Sequence, residues 1–71
     1  MHTINPNKLH HSKWTAAQPS NKEKHFIVTQ LLRDEEENVV EVEIEAIYSQ
    51  RERVLPWQSL KDDRVWKVGW Q

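Results

Sequence analysis

The stretch VVEVEIEAIYS, residues 39–49, carries the strongest structural pattern of this chain. From Val40 to Tyr48, apolar residues occupy every second position. The positions between them are Glu41, Glu43, Glu45 and Ile47. A period of two predicts a β-strand with one buried face and one face in water, whereas a helix would spread the glutamates around its circumference. We therefore expect the rest of the chain to be arranged around this strand.

Shorter stretches on both sides are also predicted to be extended. Residues 25–29 are aromatic and β-branched, and residues 51–55 can return as a third strand. Residues 65–70 place three large apolar side chains on one face of a last strand, and residues 13–17 form a short extended segment. Residues 56–60 have the pattern of a single helical turn that begins with proline.

Residues 20–33 are compatible with a second conformation. Ser20-Asn21-Lys22-Glu23 fits the S-x-x-E capping box, which would start a helix. The apolar residues that follow give no clean helical stripe, and their aromatic and β-branched side chains favour a strand. We predict the strand and keep the helix as the alternative.

The order of these elements predicts a mostly β fold, namely a small antiparallel β-barrel or sheet of four to five strands. A hairpin, a third strand, one short helical turn and a final strand follow one another as in SH3-like barrels. We therefore expect an SH3-like arrangement. The alternatives are an open antiparallel sheet and an α+β fold.

The length and composition predict one small domain. Residues 13–71 are expected to form it, and residues 1–12 are expected to be a flexible or loosely docked arm with few apolar residues. Because the 71 residues include no cysteine, the core must depend on large side chains such as the four tryptophans. The predicted core residues are Phe26, Val28, Val40, Val42, Ile44, Ala46, Leu55, Trp57, Leu60, Trp66 and Val68.

Charge is distributed unevenly along the chain, although the formal net charge is only −1. Residues 34–45 contain seven acidic residues and no basic one, and the segment up to His25 is mildly basic. Such a division can steer partners toward one side of a molecule. It also fits an ordinary solvated surface, because most of these acids are expected in a turn and on an outward strand face.

The chain is predicted to be a soluble cytoplasmic protein that does not enter a membrane. Met1 is followed by neither a basic region nor an apolar region of the kind found in a signal peptide. No apolar run approaches the ~20 residues that a membrane-spanning helix needs. The lack of cysteine suits a reducing compartment.

Several short blocks are more specific than the overall composition. They are Lys8-Leu9, Ser12-Lys13-Trp14-Thr15-Ala16, Pro19, Glu23-Lys24-His25-Phe26, Trp57-x-x-Leu60 and Trp66-x-x-Gly69-Trp70. Together these blocks cover nearly the whole chain and resemble the small tryptophan-rich conserved hypothetical proteins of bacteria. The resemblance implies a bacterial cytoplasmic setting, and it supplies no activity, cofactor or catalytic residue.

No motif predicts catalysis or metal binding. His10 and His11 are adjacent, so their rings are expected to point in opposite directions from extended backbone, and no H-x-x-x-H spacing occurs. Ser12 lies next to a histidine, but no nucleophile elbow surrounds it. A single glycine also argues against a glycine-rich phosphate loop. We predict a non-enzymatic protein with neither metal nor cofactor.

Tryptophans next to cations are the strongest functional signal. We expect Lys13, Trp14, Lys24 and Trp70 to form a binding face, although tryptophans in so small a chain are also needed for its core. A protein or peptide partner fits an aromatic-lined groove and is favoured by the acidic surface. The alternative is weak binding of single-stranded nucleic acid such as RNA, because indole rings stack on bases and lysines contact phosphates.

A monomer is expected. Self-association through an exposed edge strand is the competing possibility. Glu41, Glu43 and Glu45 are expected to make the outward face of the middle strand a poor site for it.

Overall fold

The alternating stretch forms the third of five β-strands in the computed structural model, which describes residues 3–71. The strands are β1 (Lys13–Ser20), β2 (Glu23–Arg33), β3 (Val39–Ala46), β4 (Glu52–Pro56) and β5 (Trp66–Val68). Two short 3-10 helices, Pro6–Lys8 and Trp57–Lys61, precede β1 and follow β4.

The strands form one antiparallel sheet in the order β4-β3-β2-β1-β5. Because β4 and β5 lie at its two edges and do not pair with each other, the sheet is open and is not a closed barrel. The mostly β fold, the number of strands and the helical turn before the last strand are confirmed. The helix considered for residues 20–33 is not formed, since β2 pairs with strands on both sides.

The core lies on one face of the sheet and contains most of the residues predicted for it. Val28, Val42, Ile44 and Leu60 are fully buried. The two predicted core residues around the end of β4, Leu55 and Trp57, are partly buried and pack against the others. The buried apolar residues are Leu9, Trp14, Phe26, Val28, Val39, Val42, Ile44, Ala46, Leu60 and Trp66.

The prediction that Val40 lies in the core is wrong, because this side chain is 46% exposed. Leu32 pairs with Glu41. The next residue, Arg33, pairs with Val39. This shift of register leaves Val40 as the extra residue of a bulge and turns Val39 toward the core, where it is buried. Periodicity alone does not reveal such a shift.

Val68, also predicted for the core, is 56% exposed. β5 has only three residues and lies at an edge of the sheet, so no further strand covers this side chain. Tyr48, which continues the apolar alternation of β3, is exposed as well. The strand ends at Ala46, and the chain then turns away from the sheet.

The segment before β1 contributes a core residue that the sequence prediction omitted. Leu9 is buried, and Ile4 packs against the same cluster. His11 donates its backbone N–H to the carbonyl of Val28, and Val28 donates to the carbonyl of Ser12, both over 2.9 Å. The described part of the predicted arm is thus joined to β2, and residues 1–2 lie outside the described residues. The flexibility of the arm stays a prediction.

Candidate functional site

The face of the sheet opposite the core, here called the outward face, carries a row of directly paired residues across four strands. Lys13 of β1 pairs with Ile27 of β2, and Ile27 pairs with Glu45 of β3. Glu45 in turn pairs with Glu52 of β4. Directly opposed residues of neighbouring strands share a face. The row therefore runs from a lysine through an apolar residue to two glutamates.

Residues 69–71, here called the C-terminal segment, fold back over β1 on this face. Thr15 is only 2% exposed, because its hydroxyl donates to the carbonyl of Gly69 over 2.7 Å and accepts from the N–H of Gln71 over 2.9 Å. Gly69 has a φ of 76°, a conformation that favours glycine and lets the chain turn back after β5. Its N–H donates to the carbonyl of Lys13 over 2.8 Å.

This return brings two of the predicted binding residues together. The Nζ of Lys13 lies 4.7 Å from the ring centroid of Trp70, which is 43% exposed. The indole N–H of Trp70 donates to the carbonyl of Phe26 over 2.9 Å, which fixes the ring. Lys24 lines a neighbouring depression of about 370 Å³ together with Lys67. Lys13 and Lys24 thus lie beside the C-terminal segment, which contains Trp70.

Trp14, the fourth predicted binding residue, lies in the core and is 3% exposed. Successive residues of a strand point to opposite faces, so Trp14 cannot share the outward face with Lys13. Its indole N–H donates to the hydroxyl oxygen of Ser12 over 2.8 Å. The hydroxyl of Ser12 donates in turn to the carbonyl of Leu9 over 2.6 Å.

A cleft on the other side of the sheet was missed by the sequence analysis and has a more distinctive composition. Phe26 and Trp66 meet edge to face at its floor, with ring centroids 5.1 Å apart and planes at 88°. The guanidinium carbon of Arg53 lies 5.5 Å from the centroid of Phe26 and 5.9 Å from that of Trp66. We call this space, of about 540 Å³, the Arg53 cleft.

The walls of the Arg53 cleft come from strands that are not neighbours in the sheet. Gln18 and Ser20 belong to β1, whereas Arg53 belongs to β4, and both β2 and β3 lie between these strands. The sheet therefore curls enough to face β1 toward β4 without pairing them. A second space of about 400 Å³ shares Phe26 and Arg53 with the first and extends it along β4 to Arg51.

Two of the three arginines that line these spaces are held by carboxylates. Arg51 lies 3.1 Å from Glu23, which also accepts a hydrogen bond from the Ser49 hydroxyl. The Ser49 hydrogen bond and the Arg51 charge hold the pKa of Glu23 below its ordinary value. Arg64 lies 3.3 Å from Asp62.

The backbone N–H of Arg64, followed by its side chain, likewise lowers the pKa of Asp62. Arg53 differs from the other two arginines. Within residues 3–71, no carboxylate lies within ion-pair distance of its guanidinium. Its charge also helps to lower the pKa of Glu23, but from beyond ion-pair distance, and its side chain lines the cleft.

The β3–β4 side of the outward face is crowded with carboxylates. Glu52 pairs directly with Glu45 and lies close to Glu43. A hydrogen bond with Glu43, followed by the charges of Glu43 and Glu45, raises the pKa of Glu52. Glu43 also accepts a hydrogen bond from the hydroxyl of Thr29 over 3.0 Å. The outward face is thus basic toward β1 and β5 and acidic toward β3 and β4.

The histidines of the first segment are arranged differently from the expectation. The rings of His10 and His11 stack with centroids 3.8 Å apart, because His11 has a φ of 68° and the backbone there is not extended. Between residues 3 and 71, no three His, Cys, Asp or Glu side chains are grouped so that they could hold a metal ion. No helix in the same range is long and apolar enough to cross a membrane.

The comparison with known families agrees with the sequence blocks quoted above. The profile of the family described as Tryptophan-rich protein (DUF2389) matches residues 12–71, which include all five strands and the C-terminal segment. No curated protein and no solved structure matches the chain significantly. The chain therefore belongs to the tryptophan-rich DUF2389 family.

Proposed function

We propose that this chain is a non-enzymatic binding module that takes an extended peptide of a partner protein into the Arg53 cleft. The observation that carries the proposal is the guanidinium of Arg53, which lies over the rings of Phe26 and Trp66 without an ion-pair partner among residues 3–71. A charge beside an aromatic floor offers a ligand an ionic and an apolar contact in one place.

The free edge of β4 supports an extended ligand. Ala46 donates its N–H to the carbonyl of Arg51 over 2.9 Å, so the backbone N–H and C=O groups of Arg51 point toward β3. These groups alternate in direction along an antiparallel strand. Arg53 therefore also faces β3, whereas the N–H and C=O groups of Glu52 and Val54 point to the edge that no strand covers. A peptide can add to such an edge as a further strand.

The charges around the cleft favour a peptide with an acidic side chain. Glu23 and Asp62 hold Arg51 and Arg64, which leaves Arg53 to bind an incoming carboxylate. A guanidinium binds a carboxylate through two parallel hydrogen bonds, which are stronger than those between neutral groups. The partner segment is therefore an extended strand with Asp or Glu near an apolar residue.

Selection from a library of displayed random peptides tests this proposal. We expect peptides enriched on the wild-type chain to carry an acidic residue, and we expect Arg53→Ala to abolish their binding. Val54→Pro removes one N–H that points outward from the edge of β4, so this substitution should also weaken peptide binding. Lys13→Ala, on the outward face, is the matched control and should leave binding unchanged. Peptides that bind the Arg53→Ala variant as well as the wild type would contradict the proposal.

Single-stranded RNA is the second candidate ligand, and a different surface favours it. Lys13 lies over the ring of Trp70, which is partly exposed, and Lys24 and Lys67 line a depression beside the neighbouring Gln71. Lysines that contact phosphates beside an indole that stacks on a base are typical of single-strand binding. Titration with a mixed-sequence RNA should then shift the Trp70 indole signal, and the affinity should fall as salt rises. An unchanged Trp70 signal at low salt would exclude this candidate.

We further propose that the fold is an open form of the SH3-like arrangement and that the protein acts in the bacterial cytoplasm. The SH3-like interpretation is supported by the order of the elements, with the 3-10 helix Trp57–Lys61 between β4 and β5. The cytoplasmic setting is supported by the family resemblance.

A further inference from the structure

The middle of the outward face contains apolar side chains that no other part of residues 3–71 covers completely. Ile27 and Leu32 of the central strand β2 are partly exposed. The C-terminal segment covers Thr15 at one side of this face, and it contacts β1 and the first half of β2. The part of the face formed by β3 and β4 lies beyond these contacts.

Charges of opposite sign flank this apolar middle. β2 is the central strand, and on either side of Ile27 the directly paired residues are Lys13 and Glu45. Lys13 contacts the ring of Trp70, and within residues 3–71 it has no carboxylate within ion-pair distance. Neighbouring strands are about 4.8 Å apart, so about 10 Å separates the backbones of the lysine and the glutamate.

We propose that two copies of this chain associate through their outward faces about a two-fold axis that passes near Ile27. The axis runs parallel to β2, so it exchanges the β1 side of one copy with the β3 side of the other, and both copies use the same surface. It places Lys13 of each copy opposite Glu45 of the other and packs the two Ile27 side chains together. The face is therefore complementary to itself in charge and in polarity.

Self-association also relieves a repulsion within the single chain. Glu43 and Glu45 lie close to Glu52, and the repulsion between these carboxylates contributes to the raised pKa of Glu52. The basic side of a second copy supplies Lys13 and Lys67 over this cluster. The expectation of a monomer rested on the outward glutamates alone, and here they meet lysines instead of each other.

The face is large enough for a specific interface. A standard interface removes about 800 Å² of accessible surface from each partner. This is about one-sixth of the 4976 Å² that the chain exposes, so one side of a five-stranded sheet can provide it. Peptide bound in the Arg53 cleft lies on the opposite side of the sheet, and it shares with the proposed dimer face only strand β4, whose edge it would pair with.

Sedimentation equilibrium of charge-reversal variants tests the proposed pairing. We expect the wild-type chain to dimerise at low salt. Lys13→Glu and Glu45→Lys should each weaken dimerisation at least about tenfold, because each brings like charges together in both halves of the interface. Lys8→Glu, which makes the same charge change outside this face, is the control and should dimerise like the wild type.

An equimolar mixture of the two charge-reversal variants should dimerise again. The glutamate introduced into one chain then faces the lysine introduced into the other across the axis. The unchanged Glu45 of the first chain and the unchanged Lys13 of the second form the other pair. Both halves of the mixed interface therefore join opposite charges, which neither variant can do with its own copy.

Three results would overturn the proposal. They are a wild-type chain that remains monomeric up to millimolar concentration, single variants that dimerise as well as the wild type, and a mixture that fails to recover dimers. The last two results would place any dimer contact elsewhere, such as the edge of β4. Thermal melts of each variant by circular dichroism establish that the loss of dimer is not a loss of fold.

Discussion

Arg53 on the edge strand β4 holds its guanidinium carbon 5.5 Å from the ring centroid of Phe26 on the central strand β2. The strand between them, β3, separates the two in the sheet, so the contact depends on the curl of the sheet. The same arginine covers the aromatic floor of the cleft and offers a charge to a ligand. Stability and binding can therefore be separated by substitutions at this one position.

Replacing Arg53 should affect binding much more than folding. Arg53→Ala removes a cation from two aromatic rings, and we expect the free energy of unfolding to fall by about 0.5–2 kcal/mol. Arg53→Met should cost less, because an unbranched apolar side chain still covers Phe26 and Trp66. Both variants should no longer bind the acidic peptides that were selected on the wild type. Urea denaturation and fluorescence anisotropy of a labelled peptide measure the two effects, and Arg33→Ala, at an exposed arginine that does not line the cleft, is the control.

The tryptophans should differ in their importance for stability. Trp66 is buried at the floor of the cleft, and Trp66→Ala should cost about 3–5 kcal/mol. Native proteins have total stabilities of roughly 5–15 kcal/mol, and a chain this small is expected at the lower end, where this loss leaves little or no stability. Trp57 is only partly buried beside the core, so Trp57→Ala should cost less. Thermal melts of the two variants compare these effects, and equal losses would show that the burial of Trp66 has been misjudged.

The sequence predicts the strands well because their patterns are local. The alternation in residues 39–46 places Val42, Ile44 and Ala46 on one face, and all three are buried. It fails at Val40, because the bulge there depends on which residues of β2 lie opposite. A bulge is a property of two strands, and one strand's sequence does not contain it.

The candidate sites show the same division between local and long-range information. Alternation already separates Lys13 from Trp14, and applying it strictly would have removed Trp14 from the predicted binding face. The contact of Lys13 with Trp70 requires the C-terminal segment to fold back over β1. Arg53 lies two residues before Leu55 in β4, so both side chains are on the same face of the strand. This is the one local indication that Arg53 faces inward.

The hydroxyl of Thr15 should control the position of the C-terminal segment. Thr15→Val preserves the shape of the side chain but removes the hydrogen bonds to Gly69 and Gln71, and we expect a loss of about 1–3 kcal/mol. The amide of Gln71 should also lose its protection from hydrogen exchange. Thr15→Ser keeps the hydroxyl and should behave like the wild type. A Gln71 amide that stays protected in the valine variant would show that other contacts hold the segment.

Glu52 should make the fold more stable at acidic than at neutral pH. Its pKa in the folded chain is raised above the ordinary 4.5 by Glu43 and Glu45. The folded state therefore holds this proton more tightly than the unfolded state, and the resulting stabilisation is present below 4.5 and disappears as pH rises through the raised pKa. Glu52→Gln should stabilise the chain at pH 7, with an advantage that shrinks on acidification. Chemical denaturation at several pH values measures the difference in unfolding free energy between this variant and the wild type, and Glu41→Gln is the control.

The most direct test of the binding site is a two-dimensional NMR titration of the labelled chain with one selected acidic peptide. We expect saturable shifts of the backbone amides of Glu52 and Val54 and of the Arg53 side-chain N–H, with the Trp70 indole signal unchanged. The Arg53→Ala variant should show no such shifts. Shifts confined to Lys13 and Trp70, with β4 unaffected, would contradict a site in the Arg53 cleft and place peptide binding on the outward face.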